Sequence, residues 1–311
     1  MFHSLNNTLI WTNSEIHIPI SRREIMASLV ICSVIGTMNI ITAFFFATTD
    51  KIFVNKYNTL VYSVTICGFL CMVSYVLYCG ITIYNFQSDL LVNICGISVF
   101  LIYIFGLCTE FHVVLIAVSR YIATYSSVNT ILNTITSWKI LIATYVIIPT
   151  YTSIVFYRSG EISAYECNTK YTLGKQTTNL IGISAAVIEI FSVLFSILTI
   201  KRLIHNKIQV LPTSTTNVNT SVIKLRKNVL ILGVTITFLI ISISPRILQA
   251  VGIESAYRVS FQLFILRPTI NPFLYIFTNR EFINRIRNLC KSWRCSEYNI
   301  LLKFILFVFN I

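Results

Sequence analysis

The chain has 311 residues, 55% of them hydrophobic and 11% charged, with a mean hydropathy of +0.76. Its 24 Lys and Arg outnumber 11 Asp and Glu, for a formal net charge of +13. A disordered or nucleic-acid-binding chain of that charge dilutes its apolar content, and a soluble domain of this hydropathy would present large apolar patches to water. The composition therefore excludes those classes, implies a membrane protein and gives no reason to expect a nucleic-acid partner.

In chain order, the first segment, 1–24, has no Arg or Lys before Arg22 and no short apolar core ending in a small-residue cleavage site, so no cleaved signal peptide is expected. Its sequon Asn6-Asn7-Thr8 permits glycosylation of Asn6. A membrane-spanning helix needs about 20 mostly apolar residues. Seven runs meet that requirement: 25–48, 59–83, 92–121, 138–156, 180–204, 228–251 and 259–277. Cys32, Cys67, Cys71 and Cys108 lie within them and are expected in the core as small hydrophobes. The longest polar connections are 157–178 and 205–227, and the second contains Pro212-Thr213-Ser214-Thr215-Thr216-Asn217, which reads as a loop.

Past the seventh run, residues 279–291 set Phe282, Ile283, Ile286 and Leu289 against Arg280, Arg285 and Arg287, the pattern of a basic interfacial helix. Cys290 and Cys295 beside it are palmitoylation candidates. The apolar stretch 300–309 is too short to span and is expected on the membrane or beneath the bundle. The expected architecture is an all-α membrane protein, a seven-transmembrane helix bundle with a short amphipathic eighth helix. Segment 1–24 would be extracellular, 25–278 the transmembrane domain and 279–311 a cytoplasmic amphipathic helix with an apolar tail.

The distribution of charge sets the orientation. With the N-terminus outside, sixteen of the 24 basic residues and three acids fall on cytoplasmic segments, six bases and six acids fall outside, and two of each lie within spans. The whole surplus of +13 then sits on the cytoplasmic face, where it meets anionic lipid.

Spacing narrows the class. Asn271-Pro272-Phe273-Leu274-Tyr275 stands near the end of the seventh run, with Phe282 seven residues after the Tyr; Cys95 and Arg120 are 25 residues apart at opposite ends of the third. Ser119-Arg120-Tyr121 closes that run, Asn39 lies in the first, Asn58 opens the second, Pro245 lies in the sixth, and Cys167 falls in the second outer loop. This set resembles the rhodopsin-like G-protein-coupled receptors over essentially the whole chain. The resemblance implies a plasma-membrane receptor coupled to a heterotrimeric G protein, with a disulfide between Cys95 and Cys167. It also implies a switch formed by Ser119, Arg120, Tyr121, Pro245, Asn271, Pro272 and Tyr275. Physically, Arg120 offers five donors at the cytoplasmic edge, and the two prolines remove backbone bonds and bend their helices.

Departures from the family pattern carry information too. Gly68 stands where the family has a sodium-binding Asp, while Arg267 lies one turn before Asn271 and shares a face with it and with Tyr275. An Arg at that depth needs a partner. The expectation is a buried charge network in place of the sodium site, with Glu110 as the partner of Arg267 and Glu189 as the rival; Glu189 and Arg246 are the other buried ionisable pair. Ser119 replaces the acid beside Arg120, Ile243 replaces the usual Trp and Leu239 the usual Phe. Loss of both the acid and the sodium site shifts the balance towards forms in which Arg120 is available to a G protein, so elevated ligand-independent signalling is expected. A folded but non-coupling pseudoreceptor is the competing reading.

The extracellular ligand, if there is one, is not legible: Ile102 replaces the Asp of amine receptors, and the second outer bridge of chemokine receptors is missing. A compact tail, heavy use of Ile, Asn, Thr and Tyr, and eroded switch motifs are similar to herpesvirus-encoded orphan and chemokine-receptor-like receptors. That resemblance implies a host-cell-membrane location and modulation of host signalling or immune display; a drifted cellular receptor is the alternative. No enzyme, cofactor or metal is expected. The four His (His3, His17, His112 and His205) are scattered, no phosphate loop or nucleophile elbow occurs, and His112 is expected to be a packed or hydrogen-bonded core residue. A transporter or channel could use Glu110, Glu189, Arg246 and Arg267 along a path, but the sequence contains no inverted repeat or paired broken helices.

Overall fold

The computed structural model describes residues 16–19, 22–47, 56–84, 89–124, 137–159, 170–173, 175–209, 218–251, 259 and 263–264. They form six long helices: α1 (Arg22–Ala47), α2 (Lys56–Tyr84), α3 (Asp89–Ile122), α4 (Ser137–Ser159), α5 (Lys175–Gln209) and α6 (Val218–Ala250). Each covers one of the first six apolar runs to within one residue. The seventh run lies outside the described residues apart from Val259, Leu263 and Phe264, as do the interfacial helix at 279–291, the 212–217 loop and the apolar end of the chain.

Among the described residues, four segments are long and apolar enough to cross a membrane: Ile25–Phe44, Thr59–Ile81, Ile94–Ile122 and Asn179–His205. Leu141–Tyr157 and Leu232–Leu248 are shorter apolar stretches within α4 and α6. The distribution of polarity makes the bundle a membrane protein. Val30, Val34, Ile41 and Phe44 of α1 and Ile183, Val187, Ile190, Leu194 and Ile197 of α5 are exposed, whereas Glu110, His112, Glu189, Ser242 and Arg246 are buried. An apolar exterior around a partly polar interior suits lipid and would aggregate in water.

Seven buried hydroxyls are satisfied within their own helices. Thr42, Thr65, Ser74, Ser98, Thr109, Thr152 and Thr199 each donate to the carbonyl four residues earlier, at 2.7 to 2.9 Å. Such side chains are small and internally paired, so helices can approach closely without leaving polar atoms in hydrocarbon. On α5, Ala185, Glu189, Ser192, Ser196 and Thr199 recur at spacings of three and four residues and form its buried stripe, which packs on α3 and α6.

The main apolar core joins Cys67, Cys71, Met72, Tyr75 and Cys79 of α2 to Val99, Ile102, Tyr103, Leu107 and Cys108 of α3, with Phe156 of α4 and Phe264. Cys32, Cys67, Cys71 and Cys108 are free and buried, as the sequence led one to expect, and so is Cys79. His112 is a hydrogen-bonded core residue. Its Nδ1 lies 2.6 Å from the Cys108 carbonyl and its Nε2 3.2 Å from Ser63 Oγ, while Tyr145 Oη sits 2.7 Å from Ser63 and 3.1 Å from Cys67 Sγ. This network ties α2, α3 and α4 together at mid-bundle. Replacing Tyr145 with Phe should cost about 0.5–1.5 kcal/mol, the usual net value of a hydrogen bond, and lower the melting temperature in detergent by a few degrees.

A two-stranded antiparallel sheet was not legible in the sequence. Strand β1 (Ile16–Pro19) pairs with β2 (Lys170–Leu173), Ile16 opposite Leu173 and Pro19 opposite Lys170. Four residues are too few for a period-two pattern to register, and β2 falls in a polar connection with no strand signal. The pairing binds the segment before α1 to the segment before α5, at one end of the bundle.

Candidate functional site: a buried ion triad and the two ends of α3

Three helices converge on one guanidinium. Arg246 of α6 places Nη2 at 2.6 Å from Glu110 Oε1 and Nη1 at 3.3 Å from Glu110 Oε2, a two-point contact with α3. The same Nη2 lies 3.2 Å from Glu189 Oε1 of α5, and that oxygen also accepts a 2.8 Å hydrogen bond from Ser242 Oγ. Ser242 and Arg246 are four residues apart and share a helix face, which directs both at Glu189. All three charged side chains are essentially excluded from solvent, at 2% exposure or less. In so low a dielectric a guanidinium persists only with acceptors around its fork, and two carboxylates supply them.

Aromatic packing completes the setting. The Arg246 Cζ stands 5.3 Å from the centroid of the Phe264 ring, which packs at 5.6 Å against Tyr103, one face of α3 carrying Tyr103, Gly106 and Glu110 in turn. Gly106 makes this possible, because a Cβ there would collide with the Phe264 ring. Replacing Gly106 with Ala should therefore displace Phe264 from Arg246 and cost about 1–3 kcal/mol, read as a lower melting temperature.

The sequence pairs Glu189 with Arg246, and the two meet in the triad. The expected pairing of Glu110 with Arg267, with Glu189 as the rival, involves a residue outside the described ones; within them Glu110 is held by Arg246. Sequence leaves the matching of the four intramembrane charges open, and the rotation of α5 and α6 about their axes brings Arg246 to Glu110. Among the described residues the network spans α3, α5 and α6, and Gly68 is a buried position of α2 with no side chain to contribute.

The other expected site residues divide by location. Cys95, near the start of α3, is buried and disulfide-bonded; Cys167 lies outside the described residues. Ser119, Arg120 and Tyr121 occupy the last turns of α3, half-buried, and Tyr121 packs on Phe195 of α5 with ring centroids 5.8 Å apart. The helix ends cleanly there: Ala123 N–H donates to Ser119 O, and both the N–H and Oγ1 of Thr124 donate to Tyr121 O. From Cys95 to Arg120 the helix rises about 37 Å, more than the thickness of a hydrocarbon core of about 30 Å. Pro245 lies within α6, directly before Arg246, and cannot donate to the Ile241 carbonyl. Pro149 likewise removes a backbone donor inside α4, a proline that the sequence analysis does not single out. Asn6, Asn271, Pro272, Tyr275, Cys290 and Cys295 lie outside the described residues. No protein-family model and no curated protein matches the chain.

Proposed function

We propose that the chain is a seven-helix receptor of the rhodopsin-like type, with its N-terminus outside, that activates a heterotrimeric G protein and does so without ligand. The observation that carries this reading is α3. One helix, long enough to cross a bilayer, has a disulfide-bonded cysteine at one end and Ser119-Arg120-Tyr121 at the other. A disulfide belongs to the oxidising side of a membrane, which supports a cytoplasmic position for Arg120, as do the counts of Lys and Arg. Cys167 is the proposed partner of Cys95, because five of the nine cysteines are free and the two at 290 and 295 belong to the cytoplasmic tail in this orientation.

The segment before α1, held by β1 to β2, would then lie with Cys167 on the outer face. On the cytoplasmic face the residue beside Arg120 is Ser119, which carries no charge, and position 68 is Gly rather than a cation-binding acid. Both features favour basal activity. The bulk positive charge of that face draws it to anionic lipid. Location in a host-cell membrane and a role in altering host signalling belong to the proposal through the viral resemblance alone.

Expression in cells with intact G proteins and low background receptor signalling should change cAMP without added agonist, in a manner abolished by removal of the G-protein α subunits. Folded protein at the cell surface with no such change would indicate the non-coupling pseudoreceptor. Ion flux in reconstituted vesicles would make the chain a transporter or channel, the reading that buried Glu110, Glu189 and Arg246 would otherwise suggest.

A further inference from the structure

We infer that Cys67 and Cys108 form a peroxide-reactive dithiol inside the bundle: hydrogen peroxide oxidises Cys67 first, with His112 taking the thiol proton, and Cys108 then closes a disulfide between α2 and α3. The observations behind this are geometric and independent of the receptor reading.

The hydrogen-bond directions around Cys67 follow from one fixed acceptor. The Cys108 carbonyl can only accept, so His112 Nδ1, 2.6 Å away, carries the hydrogen. In the neutral imidazole Nε2 is then the acceptor, and Ser63 Oγ donates to it at 3.2 Å. Ser63 has only that hydrogen to give, so the 2.7 Å contact with Tyr145 is a hydrogen bond donated by Tyr145 Oη. By the same count Cys67 donates its S–H to Tyr145 Oη at 3.1 Å. The result is an ordered relay that begins on a thiol and ends on an imidazole nitrogen able to take a proton. Cys71, one turn along the same helix and equally buried, is a matched contrast. Its thiol donates to the Ile102 carbonyl at 3.7 Å, an acceptor that does not remove the proton.

Two further features complete the site. Cys108 Sγ of α3 lies within hydrogen-bonding reach of Cys67 Sγ, and both thiols are free. The Cys71–Ile102 contact shows how closely α2 and α3 approach here. Tyr145 of α4 is 40% exposed on the outside of the bundle although its hydroxyl touches Cys67, so rotation of this one side chain opens a path for a molecule little larger than water.

The reaction balances in two steps. As Cys67 Sγ attacks one peroxide oxygen, an S–O bond forms and the O–O bond breaks; the thiol proton passes to Tyr145 while Tyr145 gives its own to Ser63 and Ser63 gives one to His112 Nε2. The proton returns along the relay to the departing hydroxide, which leaves as water, and Cys67 is left as a sulfenic acid. Cys108 Sγ then attacks Cys67 Sγ: the S–S bond forms, the S–O bond breaks, and hydroxide leaves with the Cys108 proton as a second water. Two thiols have lost two electrons and two protons, and one hydrogen peroxide has become two waters.

Full-length protein in lipid nanodiscs, exposed to hydrogen peroxide, unfolded in a thiol-blocking reagent and digested with pepsin, reports each cysteine by mass spectrometry. A linked Cys67–Cys108 pair should appear, with Cys67 oxidised roughly a hundredfold faster than Cys71, the lower end of what general base catalysis supplies. Tyr145→Phe keeps the ring and cuts the relay, and should slow Cys67 oxidation by a similar factor. A merely structural Tyr145 would do the opposite, since loosened packing exposes Cys67 and Cys71 alike and speeds both. Cys108→Ser should stop the reaction at the sulfenic acid, which dimedone present during unfolding traps on Cys67.

Oxidation of Cys67 no faster than of Cys71 overturns the inference. So does a linked pair that forms at the parent rate in Tyr145→Phe, or a Cys108→Ser protein with no adduct on Cys67. The first comparison is made within the parent chain and needs no variant to fold. Selective oxidation from a chain that catalyses no nucleotide exchange keeps the dithiol and removes only the receptor; exchange without selective oxidation does the reverse.

Discussion

Replacing Arg246 with Met is expected to be the most damaging single change in the described bundle, lowering stability by about 3–5 kcal/mol and removing most protein from the cell surface. Methionine matches the aliphatic length of Arg, so packing volume is largely kept and the loss is electrostatic. Two carboxylates then remain in a dry three-helix junction without the guanidinium that Glu110 contacts at 2.6 Å and Glu189 at 3.2 Å. The penalty belongs to the acids left behind. Changing Glu110 and Glu189 to Leu alongside Arg246→Met should therefore recover the stability, since well-packed apolar residues replace a buried ion cluster at little or no cost. Thermal unfolding in detergent, followed for the parent, the single variant and the triple variant, checks this; equal instability of single and triple variants would show that shape and not charge governs the site.

Arg120→Ala carries the second large effect, on coupling and not on folding. Arg120 sits in the last turn of α3, half-buried, at the end of the helix opposite the disulfide. Hydrogen bonds from an ionised donor are worth about 1.5–3 kcal/mol, so losing the guanidinium should weaken G-protein engagement roughly tenfold to a hundredfold. Surface expression should be nearly unchanged, because the core of α3 (Val99, Ile102, Leu107 and Cys108) lies further along the helix. Fluorescence of a tagged G protein recruited to the receptor, normalised to surface receptor, reads the effect. Arg120→Lys should recover only part of it, since the ammonium keeps the charge and loses the planar fork.

Much of this was legible in the sequence because a bilayer allows few solutions. A span of about 20 apolar residues must be a helix, so six of the seven runs could be placed to within a few residues, as α1 to α6 show. The helices outrun the apolar runs, most of all α5 and α6, because backbone bonding continues into water once the helix is nucleated in lipid. Glu189 is legible as a partner of Arg246, but the closer contact with Glu110 is not. Glu110, Glu189 and Arg246 are conspicuous as intramembrane charges, but which acid meets which base depends on helix rotation and tilt, and neither leaves a trace in hydropathy. The role of Gly106 was invisible for a similar reason: the Phe264 ring it admits comes from far along the chain. Strands β1 and β2 were missed because pairing, and not local pattern, defines so short a sheet.

The receptor reading is tested most directly by nucleotide exchange on purified heterotrimeric G proteins, catalysed by the full-length chain in nanodiscs containing anionic lipid, with no ligand present. The parent chain should accelerate exchange on at least one G protein above empty nanodiscs, and Arg120→Ala should remove that acceleration while leaving the melting temperature in place. Exchange equal to that of empty nanodiscs across the panel, from protein that is folded and has its Cys95 disulfide intact, would contradict it.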